Sequence, residues 1–239
     1  MKRLGVNIDH IATVRNARGE NHPDPYYAAL QVVKMGADSV TIHLREDRRH
    51  IKDLDAKKIC KSKKVLVNLE ISMNDKIVNN ALKIKPDYVC IVPENRKEIT
   101  TEGGLNLFKN KKKLKKIIER FKRIKIRTSL FINPSLKDIK LSKQLNVDCV
   151  EIHTGKISNL VKLKKRYSGE LDRIRRCSIL AKKFDIEVHA GHGLDYITTK
   201  ILSKIKEIEE FNIGHFIIGE SIFIGLSKVI KKFKSIIKG

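Results

Sequence analysis

Four apolar runs of the sequence each carry two polar residues that are spaced two apart. These pairs are Asn7 and Asp9, Thr41 and His43, Asn68 and Glu70, and Glu151 and His153. Successive side chains of a β-strand point to opposite faces, so both members of a pair project from one face of a strand. If the strands are parallel and covered by helices, the polar groups point into a shared interior. Burying an ionisable group without a partner is costly, so this convergence indicates a reaction site rather than a packed core.

Short apolar runs alternate with longer amphipathic segments along the chain, which is typical of βαβ units. The pattern predicts eight strands, at 4–8, 39–43, 65–70, 88–92, 127–131, 149–153, 187–190 and 211–214. It predicts eight helices between them, at 25–35, 52–61, 75–84, 107–124, 136–145, 172–184, 196–208 and 226–237.

These elements favour an α/β fold of the TIM (β/α)8 barrel type. The length of 239 residues is close to the size typical of such barrels. No linker-like segment divides the chain, so we expect a single domain over residues 1–239. An open doubly wound sheet is the alternative. That fold usually has a glycine-rich fingerprint after its first strand, whereas Asn-Ile-Asp-His stands here.

The chain has a formal net charge of +24, which makes nucleic acid binding an alternative function. The lysines at 109–116, 162–165 and 228–238 alternate with apolar positions at helical spacing, which indicates solvated outer faces of helices. Only 5% of the residues are aromatic, so no stacking platform accompanies the lysines. We therefore expect no nucleic acid partner, although a positive field would draw small anionic substrates towards a cleft.

Four scattered cysteines, at 60, 90, 149 and 177, lack the spacing of a metal site, so we expect reduced thiols and no metal. No apolar run approaches the length that crosses a bilayer, and the amino terminus lacks a signal-peptide core. The sequence thus predicts a cytoplasmic protein without a membrane partner.

In a β/α barrel the reacting groups lie at the carboxyl ends of the strands. Ionisable side chains follow six of the eight predicted strands: Asp9 and His10, His43 and Arg45, Glu70, Glu151 and His153, His192, and His215. Histidine is the usual proton carrier near neutral pH, so this placement favours catalytic roles for His43 and His192. We interpret His22, in a long loop, and His189, within a strand, as structural.

Two glycine-rich turns follow the last two predicted strands, Ala-Gly-His-Gly-Leu at 190–194 and Asn-Ile-Gly-His at 212–215. Glycine lets backbone N–H groups approach a phosphate, and barrel enzymes often bind phosphate at this place. We predict a phosphate cradle at Gly193, Gly214 and His215. The cation-rich loop at 43–51 either holds a second phosphate or is a solvated turn with internal ion pairs.

Seven segments carry a resemblance to a known family. They are GVNIDHIATVRNARG at 5–19, HLREDRRHI at 43–51, VNLE at 67–70, VPENRKEITTEGGL at 92–105, EIHTG at 151–155, AGHGL at 190–194 and NIGH at 212–215. The chain resembles the pyridoxine 5′-phosphate synthase family of vitamin B6 biosynthesis. Two positions depart from the pattern that we expect of relatives, because His189 and Thr198 stand where Asn is expected. A histidine at 189 is expected to influence the proton affinity of His192.

The resemblance implies a TIM barrel, a homo-octamer built from dimers, and no cofactor. It implies condensation of 1-deoxy-D-xylulose 5-phosphate with 3-amino-2-oxopropyl phosphate to pyridoxine 5′-phosphate, phosphate and water. By the resemblance, His43 and Glu70 accept protons, His192 donates one, and Glu151 is a further acid/base group. The ligands implied for the deoxyxylulose phosphate are Asp9, His10, Arg45, His50 and Thr100. Those implied for the aminoketone phosphate are Asn7, Arg18, Gly193, Gly214 and His215.

The implied reaction needs repeated proton transfers around one cavity, which agrees with the residues at the strand ends. The substrate brings its own amine, and the predicted strand ends carry no lysine, which disfavours a lysine-dependent aldolase. A different phosphosugar barrel enzyme, such as an isomerase that acts on one substrate, is the alternative. The threonines and glycines at 100–105 predict a mobile lid that excludes water.

Overall fold

The computed structural model of the protein describes residues 1–94 and 103–238. Its strands are β1 (Arg3–Asn7), β2 (Ser39–Leu44), β3 (Val67–Ile71), β4 (Tyr88–Ile91), β5 (Arg127–Ile132), β6 (Cys149–His153), β7 (Glu187–Gly191) and β8 (Ile208–Ile213). The helices of the described residues are α1 (Asp9–Arg18), α2 (Pro25–Lys34), α3 (Asp53–Ser62), α4 (Asp75–Ile84), α5 (Leu107–Arg123), α6 (Leu136–Gln144), α7 (Gly155–Lys162), α8 (Ser168–Lys183), α9 (Tyr196–Leu202), α10 (His215–Ile224) and α11 (Leu226–Lys238).

The eight strands form a closed barrel. Each strand pairs in parallel with the next, and β8 pairs in parallel with β1. The closed order confirms the predicted TIM barrel and excludes the open doubly wound sheet. Because all strands run the same way, the residues that follow them gather at one mouth of the barrel.

The end of the predicted seventh helix was wrong. The sequence predicts a helix over 196–208, but α9 ends at Leu202, and β8 begins at Ile208 rather than at 211. The apolar residues Leu202, Ile205 and Ile208 continue the helical spacing. In the structure Leu202 ends α9, Ile205 lies in the following turn and Ile208 begins β8, and all three are buried. Lys2 Nζ donates to the carbonyl of Ile205 at 2.6 Å, which ties this turn to the amino terminus.

Three helices were not predicted from the sequence: α1, α7 and α10. Each begins one or two residues after a strand ends, so each lies at the mouth of the barrel. Few residues of α1 are buried, and α10 is apolar on nearly all sides, so neither has the apolar stripe by which a surface helix is recognised.

Apolar side chains fill the layer between the strands and the outer helices. In α5, Leu114, Ile117, Ile118 and Phe121 are buried at helical spacing, and each contributes about 1.5–3 kcal/mol relative to an exposed side chain. Asn106 begins the helix, because its side chain accepts the backbone N–H of Lys109 at 3.0 Å. The lysines of α5 lie on its exposed face, as predicted. Within the described residues no helix combines the length and the apolar composition that crossing a membrane requires.

Candidate active site

A line of buried polar side chains runs through the barrel interior, where branched apolar residues are usual. Asn212 Nδ2 donates to Glu151 Oε2 at 2.7 Å. Thr41 Oγ1 donates to Asn212 Oδ1 at 3.2 Å and accepts from Asn68 Nδ2 at 3.4 Å. A Cβ atom at Gly191 would overlap Glu151 Oε1, so glycine leaves the space that this carboxylate occupies. Of the polar residues that the sequence pattern singled out, Thr41, Asn68 and Glu151 belong to this interior line, whereas Asp9 lies at the start of α1 rather than on a strand.

The two buried acids of this interior hold protons more tightly than ordinary carboxyl groups. Burial raises the pKa of Glu151 to about 7, although the charge of His189 and the amide of Asn212 act to lower it. Burial raises the pKa of Glu70 well above its usual range, and the charges of Glu151 and Asp9 add to this effect. A carboxylate with a raised pKa is a stronger base, which suits proton transfer near neutral pH.

His43 lies between two carboxylates. Its neighbour across the β2–β3 pair is Glu70, and His43 Nδ1 is 3.6 Å from Glu70 Oε2. On the other side, His43 Nε2 is 3.7 Å from Glu94 Oε2. Both atoms of this second contact are buried, and neither has a hydrogen-bond partner among the residues that the structure describes. A substrate hydroxyl or amine between them would satisfy both.

Glu94 was not singled out from the sequence. Its side chain is 1% exposed, and its Oε1 accepts the backbone N–H of Glu46 at 2.7 Å. Burial alone would raise the pKa of Glu94, but His43 and the Glu46 N–H lower it overall. The available signal was its position, because Glu94 is an acidic residue just after β4, within one of the segments of family resemblance.

Asp9 organises the mouth of the barrel beside His43. Its Oδ2 accepts Asn7 Nδ2 at 2.9 Å, and its Oδ1 accepts the backbone N–H of His43 at 2.8 Å. His50 Nδ1 is 3.7 Å from the same Oδ1. Burial lowers the pKa of His50 although Asp9 opposes the shift, so this imidazole is neutral at pH 7.

His10 and His215 face each other across the mouth, with ring centroids 5.0 Å apart. Burial lowers the pKa of His10, and the neighbouring His215 adds to the shift while Asp9 opposes it. His215 begins α10, and no side chain caps this helix. Its first N–H groups are therefore available for an anion. A Cβ at Gly214 would lie 2.8 Å from Asn7 Cβ, so only glycine fits there.

His192 and Gly193 form the other side of the predicted cradle. Both have a positive φ, of 79° and 74°, which costs a residue with a side chain about 1 kcal/mol or more. The ring of His192 lies 4.9 Å from that of His153. Burial lowers the pKa of His192, with Lys162 adding to the shift, and burial beside His192 lowers the pKa of His153 to about 4. The expectation that His189 influences His192 was wrong, because the charge of His189 acts on Glu151 instead.

The loop after β2 contains internal ion pairs, which is one of the two interpretations that the sequence left open. Arg49 Nη2 is 2.6 Å from Asp47 Oδ2, and Arg45 Nε is 3.2 Å from Asp47 Oδ1. Arg45 is also directed inward, since its side chain is 10% exposed and its Nη2 lies 3.7 Å from Glu94 Oε1.

Two predicted site residues are not among these groups. Arg18 lies at the end of α1 with its side chain 81% exposed, and its Nε is 3.5 Å from Glu20 Oε1. Thr100 and most of the predicted lid lie outside the described residues. The segment is described again from Gly103, and the backbone N–H of Gly104 donates to Asn133 Oδ1 at 3.0 Å.

Within residues 1–94 and 103–238, two groups of side chains have metal-ligand spacing, with ligand atoms within 4.8 Å of one another. One consists of Asp9, His43 and His50, and the other of Cys149, Glu187 and His189. In the second group Glu187 is paired with Arg127 at 2.7 Å and with Arg3, and these cations oppose a metal ion. The first group belongs to the predicted sugar-phosphate site. Catalysis without a metal stays a prediction.

The carboxyl mouth of the barrel thus brings together groups from β1, β2, β3, β6, β7 and β8. They are Asn7, Asp9, His10, His43, Arg45, His50, Glu70, Glu151, His192, Gly193, Gly214 and His215, of which several are buried and titratable. Such a fold and site are those of a (β/α)8-barrel enzyme with several titratable groups beside two glycine turns.

Comparisons with known proteins agree with this class. The family model described as pyridoxal phosphate biosynthesis protein PdxJ matches residues 4–239. The chain is 68% identical over 236 residues to the pyridoxine 5′-phosphate synthase of Pelagibacter ubique (strain HTCC1062), covering 99% of both chains. It is 45% identical over 239 residues to that of Syntrophotalea carbinolica, covering 100% of both. The chain belongs to the PdxJ family of pyridoxal phosphate biosynthesis proteins, as the sequence resemblance predicted.

Solved structures with low sequence identity share the fold. A phosphoribosylanthranilate isomerase from Thermotoga maritima has a TM-score of 0.59 at 15% identity, covering 100% of both chains. A 3-hexulose-6-phosphate synthase has a TM-score of 0.65 at 12% identity, covering 98% of this chain and 99% of the other. At these identities the likeness shows the barrel alone.

Proposed function

We propose that this protein is a pyridoxine 5′-phosphate synthase. It condenses 1-deoxy-D-xylulose 5-phosphate with 3-amino-2-oxopropyl phosphate, closes the pyridine ring, and releases phosphate and water. Membership of the PdxJ family supports this activity, and so does one observation of the structure. The buried imidazole of His43 stands between the carboxylates of Glu70 and Glu94 at one mouth of the barrel. Several proton carriers around one cavity are what a multi-step ring closure requires.

The proton-transfer roles follow from position and ionisation. We assign proton acceptance to His43 and Glu70, because Glu70 Oε2 lies 3.6 Å from His43 Nδ1 and the pKa of Glu70 is raised. We assign proton donation to His192, which lies at the start of the glycine turn after β7. Glu151 is a further acid/base group, since it is buried next to Gly191 and its pKa is about 7. Each positioned group contributes roughly 10²- to 10⁴-fold to the rate.

The two phosphorylated substrates are assigned to the two sides of the mouth. His50 lies beside Asp9, and Arg45 lies beside Glu94. We propose that the deoxyxylulose phosphate is bound by Asp9, His10, Arg45 and His50 together with Thr100. Gly214, His215 and Asn7 lie at the uncapped start of α10, and Gly193 lies in the turn after β7. We propose that these four residues bind the aminoketone phosphate. Arg18 is the least supported of these ligands, because its side chain is exposed.

The direct test is to mix both phosphates with the enzyme and to follow the absorbance of the product. Wild type forms pyridoxine 5′-phosphate without an added metal or organic cofactor. His43→Ala and Glu70→Ala lose at least about 10²-fold in rate, and His22→Ala, a change of an exposed histidine, keeps the rate. No product from well-folded wild type removes the proposal. Turnover of one phosphosugar alone would support the isomerase alternative.

We also propose a homo-octamer of single-domain subunits in the cytoplasm, with no nucleic acid partner. The octamer rests on the family resemblance. Ile222 and Phe223 of α10 are 78% and 82% exposed and offer an apolar surface for subunit contacts. Light scattering after size exclusion measures the mass, and a monomer at micromolar concentration contradicts the octamer. Salt-sensitive retention on DNA that depends on the α5 lysines would contradict the absence of a nucleic acid partner.

A further inference from the structure

A second, partly buried cluster of charged side chains lies below Glu151, towards the amino-terminal ends of the strands. This lower cluster consists of Arg3, Arg127, Glu187, His189 and Glu210. Arg3 Nε donates to Glu210 Oε2 at 2.7 Å, and its Nη2 donates to Glu187. Arg127 Nη2 donates to Glu187 Oε2 at 2.7 Å. The proposed reaction assigns no role to any of the five residues, although all lie in the interior of the barrel.

His189 carries a positive charge in this cluster. Its side chain is 3% exposed, its Nε2 is 2.8 Å from Glu187 Oε1, and its Nδ1 is 3.9 Å from Glu210 Oε1. Burial alone would lower the pKa of His189, but Cys149, Glu187 and Glu210 raise it well above its usual value. With His189 protonated, three cations face two carboxylates, so the lower cluster has a net charge of +1.

This charge faces Glu151 directly. Glu151 on β6 and His189 on β7 are partners in the strand register, and both side chains are buried. The other groups that act on Glu151 are Glu210 and the Asn212 amide, both on β8. In turn, the charge of Glu151 acts on Glu70 of β3, so the two buried acids are linked. Among the described residues whose charges act on Glu151, His189 is the one of opposite sign.

We propose that His189 is a positioning residue for proton transfer, and that its buried positive charge favours the ionised form of Glu151, its register partner on the neighbouring strand. The charge thereby acts on Glu151 from the neighbouring strand, and the proposal gives His189 no contact with substrate. The inference deepens the proposed function, because it rests on the acid/base role of Glu151. Two unit charges about 6 Å apart at an effective dielectric constant of about 20 change each other's pKa by roughly two units.

The test is a titration of Glu151 in the intact protein without substrate. The enzyme is labelled with glutamate that carries ¹³C at Cδ, and the Glu151 signal is assigned by its loss in Glu151→Gln. His189→Asn removes the charge and keeps a polar side chain, and the midpoint of Glu151 moves upward by about one to two pH units. Ser39→Ala is the matched control, because Ser39 Oγ donates to Glu210 Oε1 at 3.3 Å in the same cluster but carries no charge. It leaves the midpoint unchanged.

A second variant keeps the test decisive if His189→Asn does not fold. Glu210→Gln removes a negative charge that acts on Glu151, so the midpoint of Glu151 moves downward. Opposite shifts in the two variants are expected of an electrostatic role and are not expected of a purely structural one. An unmoved midpoint in His189→Asn overturns the inference, and so does an upward shift in Glu210→Gln.

Activity gives an independent readout. In His189→Asn, kcat at pH 7 falls and the limb of the pH profile that belongs to Glu151 moves upward. KM for both phosphates stays within about twofold, because uniform substrate binding is untouched. A rise of KM with an unchanged profile would assign His189 to structure alone. Since the titration needs no substrate, a failure of the proposed condensation does not decide its outcome.

Discussion

Replacing Gly191 with alanine tests whether the empty space beside Glu151 fixes that carboxylate. The added Cβ would overlap Glu151 Oε1, and it would lie 2.8 Å from Glu151 Cδ and 3.4 Å from the carbonyl oxygen of Asn212. Restoring an ordinary contact of about 3.4 Å moves the overlapped oxygen Oε1 by about 1.5 Å. Such a movement breaks the 2.7 Å hydrogen bond from Asn212 Nδ2.

The expected losses follow from these distances. Overpacking a filled interior costs about 1–3 kcal/mol, and the lost hydrogen bond costs about 1 kcal/mol more. Gly191→Ala therefore lowers the free energy of unfolding by about 2–4 kcal/mol. Misplacement of a reacting group on this scale lowers kcat by about 10²-fold.

Urea unfolding and steady-state kinetics on the same preparation measure both quantities. The matched control is Gly169→Ala in α8, where no atom lies within 4 Å of the added Cβ. Alanine there keeps activity and stabilises by up to about 1 kcal/mol, since glycine is a poor helix former. A Gly191→Ala enzyme with wild-type kcat and stability would refute the claim that Glu151 is held in place by the missing side chain.

Three further outcomes are expected. Glu94→Gln keeps the fold but lowers kcat by about 10²-fold or more, because one of the two carboxylates beside His43 loses its charge; kinetics at saturating substrates would show an unchanged kcat if Glu94 were structural. Glu151→Gln is inactive, yet above pH 7 it is more stable than wild type by about 3 kcal/mol. The reason is that the folded pKa of Glu151, about 7, lies above the ordinary 4.5, so wild type loses stability as the pH rises from 4.5 to 7. Equal urea midpoints of the two proteins at pH 8 would contradict this sign. The folded pKa of His153, about 4, lies below the ordinary 6.5. The free energy of unfolding therefore falls as the pH drops from 6.5 to 4, by up to about 1.4 kcal/mol per pH unit. An NMR titration in which the His153 imidazole protonates near pH 6.5 would rule out this contribution.

The barrel was predictable because its signals are local. Alternation of strands and amphipathic helices follows from side-chain periodicity, and α5 shows it clearly, with five buried apolar residues opposite exposed lysines. The turn at 204–207 was not predictable, because Leu202, Ile205 and Ile208 have helical spacing. The Lys2 side chain that contacts this turn is 203 residues away in the sequence. The helices α1 and α10 were missed because neither has an apolar stripe along one face, the pattern from which a surface helix is predicted.

The site was predictable in part. The parallel arrangement places Asp9, His43 and Glu70 at one mouth once their strands are known, and the family resemblance suggested a role for each. The environment of each group was not predictable, because it depends on contacts between distant strands. Asn212, which holds Glu151, and Glu94, which faces His43, have no sequence spacing that links them to their partners. The exposure of Arg18 and the charge of His189 are likewise properties of the folded chain.

The central claim is that proton carriers from separate strands meet beside two bound phosphates at one mouth of the barrel. A crystal structure of the enzyme with the aminoketone phosphate and a deoxyxylulose phosphate analogue tests it most directly. The account predicts one phosphate on the backbone N–H groups of Gly193 and at the start of α10, the other near Arg45 and His50, and the reacting carbons within about 3.5 Å of His43 or Glu70. Phosphates bound at the opposite mouth, or reacting carbons out of reach of His43, Glu70 and His192, would contradict it.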